Sequence, residues 1–307
     1  MKLIVKIMLA VVCLISTSLF ADLKVFTCEP EWMALVTELG GDKVSVFSAT
    51  TGLQDPHQIQ ARPSLIANVR NVDLLVCTGS DLEIGWLPIL LRRVSNSKIK
   101  EGSDGYFIAT QFTRILGQPK VIDRSQGDIH ASGNPHIQTN PHNILPVAKA
   151  LNSRMIKLDP ENSIYYQQRF DDFSKRWKQA LKKWKKMTLP LQHLPIVVHH
   201  VSWEYLIDYL KLEQLDMLED KPGIPPTSGH LSELLANMKQ RPAKIIIYAA
   251  YQDARPANWL SEKTGIPAVK LPFTIGGTDA ANDLFSLYED TFSRLLTAIS
   301  INKDAPE

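Results

Sequence analysis

The segment 160–187 constrains the fold most, because its apolar side chains recur at the spacing of one helix face. The steps between them are 4, 3, 4, 4 and 3 residues, and the side chains are Tyr166, Phe170, Phe173, Trp177, Leu181 and Trp184. A helix of this length extends about 42 Å at about 1.5 Å per residue. It can span the whole molecule, and its aromatic stripe predicts a surface that faces the core.

On both sides of this segment, short apolar runs alternate with helical patterns. The clearest runs are 23–28, 44–48 and 73–78 before it, and 196–199, 244–248 and 268–271 after it. Helical segments between apolar strands predict parallel strands joined by crossover helices. We therefore predict an α/β protein of two lobes, each a parallel sheet flanked by helices, joined by one long rigid helix. The predicted divisions are an N-terminal lobe over 22–158, a linking helix over 159–188 and a C-terminal lobe over 189–307.

The N-terminal segment 1–21 has the pattern of a secretory signal peptide. Lys2 and Lys6 begin it, an apolar run follows, and Ala21 is the small residue before the predicted cleavage site. An uncleaved membrane anchor is the alternative. Cys13 lies inside the apolar run rather than at its end, which argues against a lipoprotein site. The segment therefore predicts export to the periplasm.

Charge and cysteine content narrow the function classes. The chain has 34 basic and 32 acidic residues, and removal of Lys2 and Lys6 leaves 32 of each. Nothing in this balance indicates a nucleic-acid partner. Only Cys28 and Cys77 remain in the exported chain, too few for a disulfide scaffold or a cysteine-based zinc site. They either pair with each other or stay as separate buried thiols.

Three of the eight histidines lie where a strand or turn ends and a loop begins. His57 follows Pro56, His136 follows Pro135, and His200 ends the first strand of the second half. Taken singly, each is most simply a surface or hydrogen-bonded loop residue. However, open α/β sheets bind ligands beyond the carboxyl ends of their strands, so both halves can place histidines in one crevice. Three neutral imidazoles with a carboxylate or water would complete a zinc site.

Six segments carry motifs in a fixed order along the chain. They are ELGGDKVSV at 38–46, QDPHQIQARPSLIANVRNVDLLVCTGSDLEIGWLP at 54–88, GNPHIQTNPHNI at 133–144, VHHVSWEYL at 198–206, KPGIPPTSGHL at 221–231 and GIPAVKLPFTIGGTDAANDLFSLY at 265–288. Together they resemble the metal-binding solute receptors of bacterial ABC importers for zinc and manganese, the ZnuA-like or cluster A-I family. The resemblance covers roughly 23–300.

The resemblance implies a metal ion in the cleft between the lobes, with family ligands at His57, His136 and His200. The fourth family ligand is usually a carboxylate from the last loop before the C-terminal helix. Here the chain departs, because the run LPFTIGG replaces the common aspartate. The nearby carboxylates are Asp279 and Asp283, and Asp283 also fits the N-cap of the final helix.

We therefore expect a periplasmic receptor that binds one Zn(II) and delivers it to the membrane permease of an ABC importer. We expect it to be a monomer and not an enzyme. Three imidazoles favour zinc over manganese, which prefers oxygen ligands. An Mn(II) or Fe(II) receptor of the same family is the first alternative, and a receptor for an organic ligand such as a siderophore or vitamin is the second.

A His-ligated zinc hydrolase is the third alternative, and it requires a positioned acid or base. The chain contains neither HExxH nor GxSxG. Glu29 is the one candidate base and also a candidate ligand or supporting group in the cleft, although a solvated loop charge is the simpler interpretation. His130, six residues before His136, is able to help capture a metal but is more simply a flexible surface residue.

Overall fold

The structure is a computed structural model that describes residues 22–119, 127 and 130–301. The predicted signal peptide, 1–21, lies outside these residues. Within them, the chain forms two four-stranded sheets, both entirely parallel, with helices on their faces. None of the helices in the described ranges is both long and apolar enough to cross a membrane.

The first sheet has the strand order β2-β1-β3-β4. Its strands are β1 (Leu23–Thr27), β2 (Val44–Ser48), β3 (Leu74–Cys77) and β4 (Tyr106–Ile108). The helices along this half are α1 (Pro30–Gly40), α2 (Pro63–Val69), α3 (Leu87–Arg92) and α4 (Ile144–Leu158). A proline opens each of the first two helices, where the missing N–H costs no helical hydrogen bond.

The long helix α5 (Ser163–Met187) follows a short 3-10 turn at Pro160–Asn162. Four aromatic residues of its predicted stripe are completely buried, namely Tyr166, Phe173, Trp177 and Trp184. The Trp177 indole donates a hydrogen bond of 3.0 Å to the Pro141 carbonyl, and its ring packs against Phe285. Pro141 precedes α5 in the chain and Phe285 follows it. The helix therefore packs against both halves of the chain in one core.

The second sheet repeats the arrangement, with the order β6-β5-β7-β8. Its strands are β5 (Pro195–Val198), β6 (Glu213–Met217), β7 (Ile245–Ala249) and β8 (Ala268–Leu271). The helices of this half are α6 (Glu204–Leu210), α7 (Ser228–Gln240), α8 (Arg255–Thr264) and α9 (Leu284–Ile301). The predicted fold class is confirmed: two parallel sheets flanked by helices accompany one long helix. The predicted boundaries between the lobes and the linking helix, after residues 158 and 188, remain a prediction.

The two remaining cysteines form a disulfide. Cys28 directly follows β1 and Cys77 ends the adjacent strand β3, so their Cα atoms are 4.8 Å apart. The bond lies in an apolar cluster with Phe26, Leu75 and Trp86. Of the two alternatives left open by the sequence, the structure therefore has the paired one.

Candidate metal centre

The structure brings together His57, His136 and His200 from three distant segments. One ring nitrogen of each lies within 4.8 Å of those of the other two. His57 is in the loop after β2, His136 precedes α4, and His200 follows β5. The cluster therefore forms where loops at the carboxyl ends of both sheets meet, the usual position for ligands in open α/β folds.

The His57 ring is held by its own loop. Its Nδ1 lies 2.7 Å from Asp55 Oδ1, which also accepts the backbone N–H of His57 at 3.0 Å. The Trp86 indole donates to the carbonyl of the intervening Pro56 at 3.0 Å. Burial alone would raise the pKa of Asp55, but the hydrogen bond and charge of His57 outweigh it and lower that pKa. Asp55 is therefore a carboxylate that holds the Nδ1–H form of His57.

His200 has an equivalent carboxylate partner. Its Nδ1 lies 2.6 Å from Glu219 Oε2, which also accepts the Gly223 backbone N–H at 2.8 Å. The other ring nitrogen, Nε2, is buried and has no hydrogen-bond partner among the described residues. The neighbouring His199 contacts the same carboxylate, with its Nε2 3.6 Å from Glu219 Oε1. Glu219 thus supports two adjacent imidazoles.

His136 is the most enclosed member of the cluster. Its side chain is completely buried, and neither ring nitrogen has a hydrogen-bond partner in the described part of the chain. Burial lowers its pKa well below that of a free histidine, with smaller effects from neighbouring histidines. A buried imidazole without partners is costly unless a ligand satisfies it. The neutral form that burial favours is also the form that binds metal ions.

His130 lies beside the same cluster, so the expectation of a flexible surface residue is wrong. Its Nε2 is 3.2 Å from His57 Nε2, and the two rings are 5.2 Å apart. Burial, reinforced by the nearby His57, lowers the pKa of His130 to about 4. The sequence indicated this position only through the spacing of His130, six residues before His136, and that spacing alone did not predict its contact with His57.

The two candidate aspartates do not join the histidines. Asp279 and Asp283 are exposed, and neither belongs to the cluster of ring nitrogens. Asp283 Oδ1 instead accepts the Ser286 backbone N–H at 2.7 Å, the contact expected of a helix N-cap. The expectation that one of them completes the metal site therefore finds no support in the geometry.

Glu29 is not a solvated loop charge, contrary to the simpler interpretation of the sequence. It is 3% exposed and accepts a hydrogen bond of 2.9 Å from the Thr78 hydroxyl. Burial raises its pKa well above the usual value, and the charge of Glu83 raises it further. Glu29 lies outside the histidine cluster and instead forms a buried polar group with Thr78 and Glu83.

A cavity of about 720 Å³ opens beside the cluster. Its lining includes His57 and His200 together with Tyr251, Pro256 and Trp259. The cavity is partly open to solvent, so it offers a hydrated ion a route to the two imidazoles.

Two parallel sheets flanked by helices, a long helix packed against both halves and a largely buried cluster of imidazoles between them form a setting suited to a metal ion. The chain belongs to the family described as "ZnuA: Zinc-uptake complex component A periplasmic", whose sequence model matches residues 25–300. The resemblance noted from the motifs is thereby confirmed.

Curated relatives are distant but cover most of the chain. The metal ABC transporter substrate-binding lipoprotein SloC of Streptococcus mutans is 23% identical over 278 residues, 87% of this chain and 89% of that protein. The manganese ABC transporter substrate-binding lipoprotein PsaA of Streptococcus anginosus is 22% identical over 242 residues, 78% of this chain and 76% of that protein.

Solved structures share the fold. The crystal structure of ZnuA superposes with a TM-score of 0.76 at 20% identity, covering 91% of this chain and 99% of that one. The cadmium-bound periplasmic metal-binding protein of Candidatus Liberibacter asiaticus superposes with a TM-score of 0.72 at 17% identity, covering 90% of this chain and 99% of that one.

Proposed function

We propose that this protein captures one Zn(II) ion in the periplasm and delivers it, as a monomer, to the membrane permease of its importer. The observation that carries the proposal is the cluster of His57, His136 and His200, whose ring nitrogens lie within 4.8 Å of one another. Family membership supports the role in import. The protein's task is chelation, with no chemical step.

Two carboxylates prepare the site for the ion. Asp55 and Glu219 accept hydrogen bonds from Nδ1 of His57 and His200, so each ring keeps its proton on Nδ1. The Nε2 lone pairs then face the cluster. Such partners outside the metal ligands fix the orientation of a ligating histidine and raise its basicity.

The donor set favours zinc over manganese. In the described chain, the group of ligand atoms that converge on this point consists of imidazole nitrogens alone. Manganese prefers carboxylate, carbonyl and water oxygens, whereas imidazole suits zinc. Several relatives are named as manganese receptors, so manganese is the alternative cargo that the experiment must test.

The test is metal titration of the chain 22–307 after chelator treatment, with zinc and manganese in competition. We expect one zinc per chain. The substitutions His57→Ala, His136→Ala and His200→Ala should each weaken zinc binding by more than about 100-fold, the upper range for loss of a supporting residue. His142→Ala is the matched control, because His142 is exposed and packs on Tyr209.

A wild-type chain without stoichiometric metal would overturn the proposal. Preferential binding of manganese would leave the role in import and reassign the cargo.

A further inference from the structure

Two ring nitrogens face each other at the edge of the cluster. His57 Nε2 and His130 Nε2 are 3.2 Å apart. The proton of neutral His57 is on Nδ1, because Nδ1 contacts the Asp55 carboxylate, which only accepts hydrogen bonds. His57 therefore presents a lone pair to His130.

His130 brings its own Nε2 to the same place. A neutral imidazole has a single N–H, so His130 Nε2 offers a lone pair whenever its proton is on Nδ1. In that tautomer the Nε2 atoms of His57 and His130 point lone pairs at each other, an arrangement that a cation bound by both would stabilise.

The spacing is that of two ligands on one zinc ion. Zinc–nitrogen bonds of about 2.0–2.1 Å in a tetrahedron place the nitrogens about 3.3 Å apart and the ring centres about 5 Å apart. The His130 ring lies 5.2 Å from that of His57 and 6.0 Å from that of His136. His200 lies 6.1 Å from His57 and 6.3 Å from His136. In each of the three longer pairs, contraction of about 1 Å would bring the two rings to the separation expected of ligands on one ion.

The geometry points to His130 as the fourth zinc ligand, completing a site of four imidazoles with His57, His136 and His200. This inference rests on the proposed function and replaces the expected carboxylate or water with a residue of the chain. Four nitrogen donors leave no oxygen ligand from the protein, which sharpens the preference for zinc over manganese.

The loop that carries His130 is attached to the rim of the first sheet. The Ser132 backbone N–H lies 3.4 Å from Asp81 Oδ2, and the Gly133 N–H donates to the His130 carbonyl at 3.0 Å. Gly133 has a φ of +97°, which a side chain would strain. The turn therefore holds His130 toward the cluster, and support of this kind suits a metal ligand.

The experiment compares His130→Ala with His142→Ala in the exported chain 22–307. Zinc affinity is measured by competition with a chelator, and the coordination of Co(II), substituted for zinc, by its visible absorption. We expect His130→Ala to retain one zinc per chain, with affinity reduced at least about 10-fold. Its Co(II) spectrum should change, and its preference for zinc over manganese should fall. His142→Ala should match the wild type.

His130→Gln is the second variant, and circular dichroism checks that both variants fold. An unchanged zinc affinity and Co(II) spectrum in His130→Ala, with binding still lost in His57→Ala, would overturn the four-imidazole site and leave the proposed function intact. Absence of metal binding by the wild type would instead overturn the proposed function.

Discussion

Glu219 contacts two imidazoles at the proposed metal site without belonging to the group of converging ring nitrogens. It contacts His200 at 2.6 Å and His199 at 3.6 Å, and it is fixed by the Gly223 N–H. Its negative charge keeps the His200 proton on Nδ1 and increases the electron density at Nε2. A neutral amide of the same shape would hold the Nδ1 proton less firmly and would increase the electron density at Nε2 less.

We therefore predict that Glu219→Gln weakens zinc binding by about 10–100-fold, because outer partners of metal-bound histidines have effects of this size. Chelator competition measures the change. Glu213→Gln is the control, since Glu213 lies on β6 but its ion pair with Arg241 is exposed. Equal affinities for the two variants would contradict the assigned role of Glu219.

Glu31 makes stability depend on pH. It is buried, accepts a hydrogen bond of 2.5 Å from Thr274 in the other half of the chain, and has a pKa raised to about 7, chiefly by burial. A carboxyl with a raised pKa favours folding while protonated. That stability is present below pH 4.5, the ordinary pKa of the group, and is lost as the pH rises through about 7.

We predict that Glu31→Gln, without added metal, is more stable than wild type at pH 8 by about 1–3 kcal/mol and gains nothing comparable at pH 4.5. Urea unfolding at both pH values measures this difference. Glu262→Gln, an exposed change on α8, should show no such pH-dependent gain. A Glu31→Gln effect that is identical at the two pH values would refute the argument.

Among the structural elements, the loop after β8 contacts a neighbouring loop, whereas the family resemblance led us to expect a metal ligand from it. Its glycines lie against the loop that carries Asp55 and His57. A Cβ on Gly52 would lie 2.3 Å from the carbonyl carbon of Gly276 and 2.4 Å from the nitrogen of Gly277. Such contact between backbones requires glycine. The run LPFTIGG, which stands where the family has an aspartate, therefore contacts the loop that carries His57 and helps to fix its position.

We predict that Gly52→Ala displaces this loop and weakens zinc binding, with a loss of stability of about 1–3 kcal/mol, as overpacking usually costs. Calorimetric titration and thermal unfolding measure the two effects. Gly229→Ala is the control, because a Cβ there meets no neighbour within 4 Å. Wild-type zinc affinity in Gly52→Ala would show that the loop contact is dispensable.

At the scale of the molecule, several hydrogen bonds cross between the two halves. Tyr205 donates to the Asn134 carbonyl at 2.8 Å, and Tyr288 donates to the Gln138 carbonyl at 2.6 Å. Together with α5, which packs on both halves, they oppose a wide hinge motion. Ion binding is therefore expected to adjust loops and side chains rather than to close the lobes.

We predict that zinc changes the radius of gyration by less than about 1 Å while it raises the melting temperature through binding to the folded state. Small-angle scattering and calorimetry, with and without zinc, measure these quantities. A large compaction on addition of zinc would contradict the expected rigidity.

Local patterns predicted most elements because each depends on neighbouring residues. The helical spacing at 63–69 and 255–264 predicts two helices, and α2 and α8 have these bounds. Strand β6 was not predicted, because its sequence EQLDM is polar and the strand lies at a sheet edge. The pattern over 82–92 also predicts a helix, but this helix begins only at Leu87, after a turn in which Ser80 and Asp81 adopt positive φ.

The sequence by itself determined the two α/β halves, the core-facing helix between them and the three histidines whose motifs mark the cleft. Only the tertiary structure decided that His130 lies beside His57, that Asp283 caps a helix and that Glu29 is buried. The physical reason is one of range. Periodicity, caps and turns act over a few residues, whereas a metal site depends on distances between side chains from loops far apart in the chain. Those distances are set by packing of the lobes against α5 and by backbone contacts such as Gly52 with Gly276.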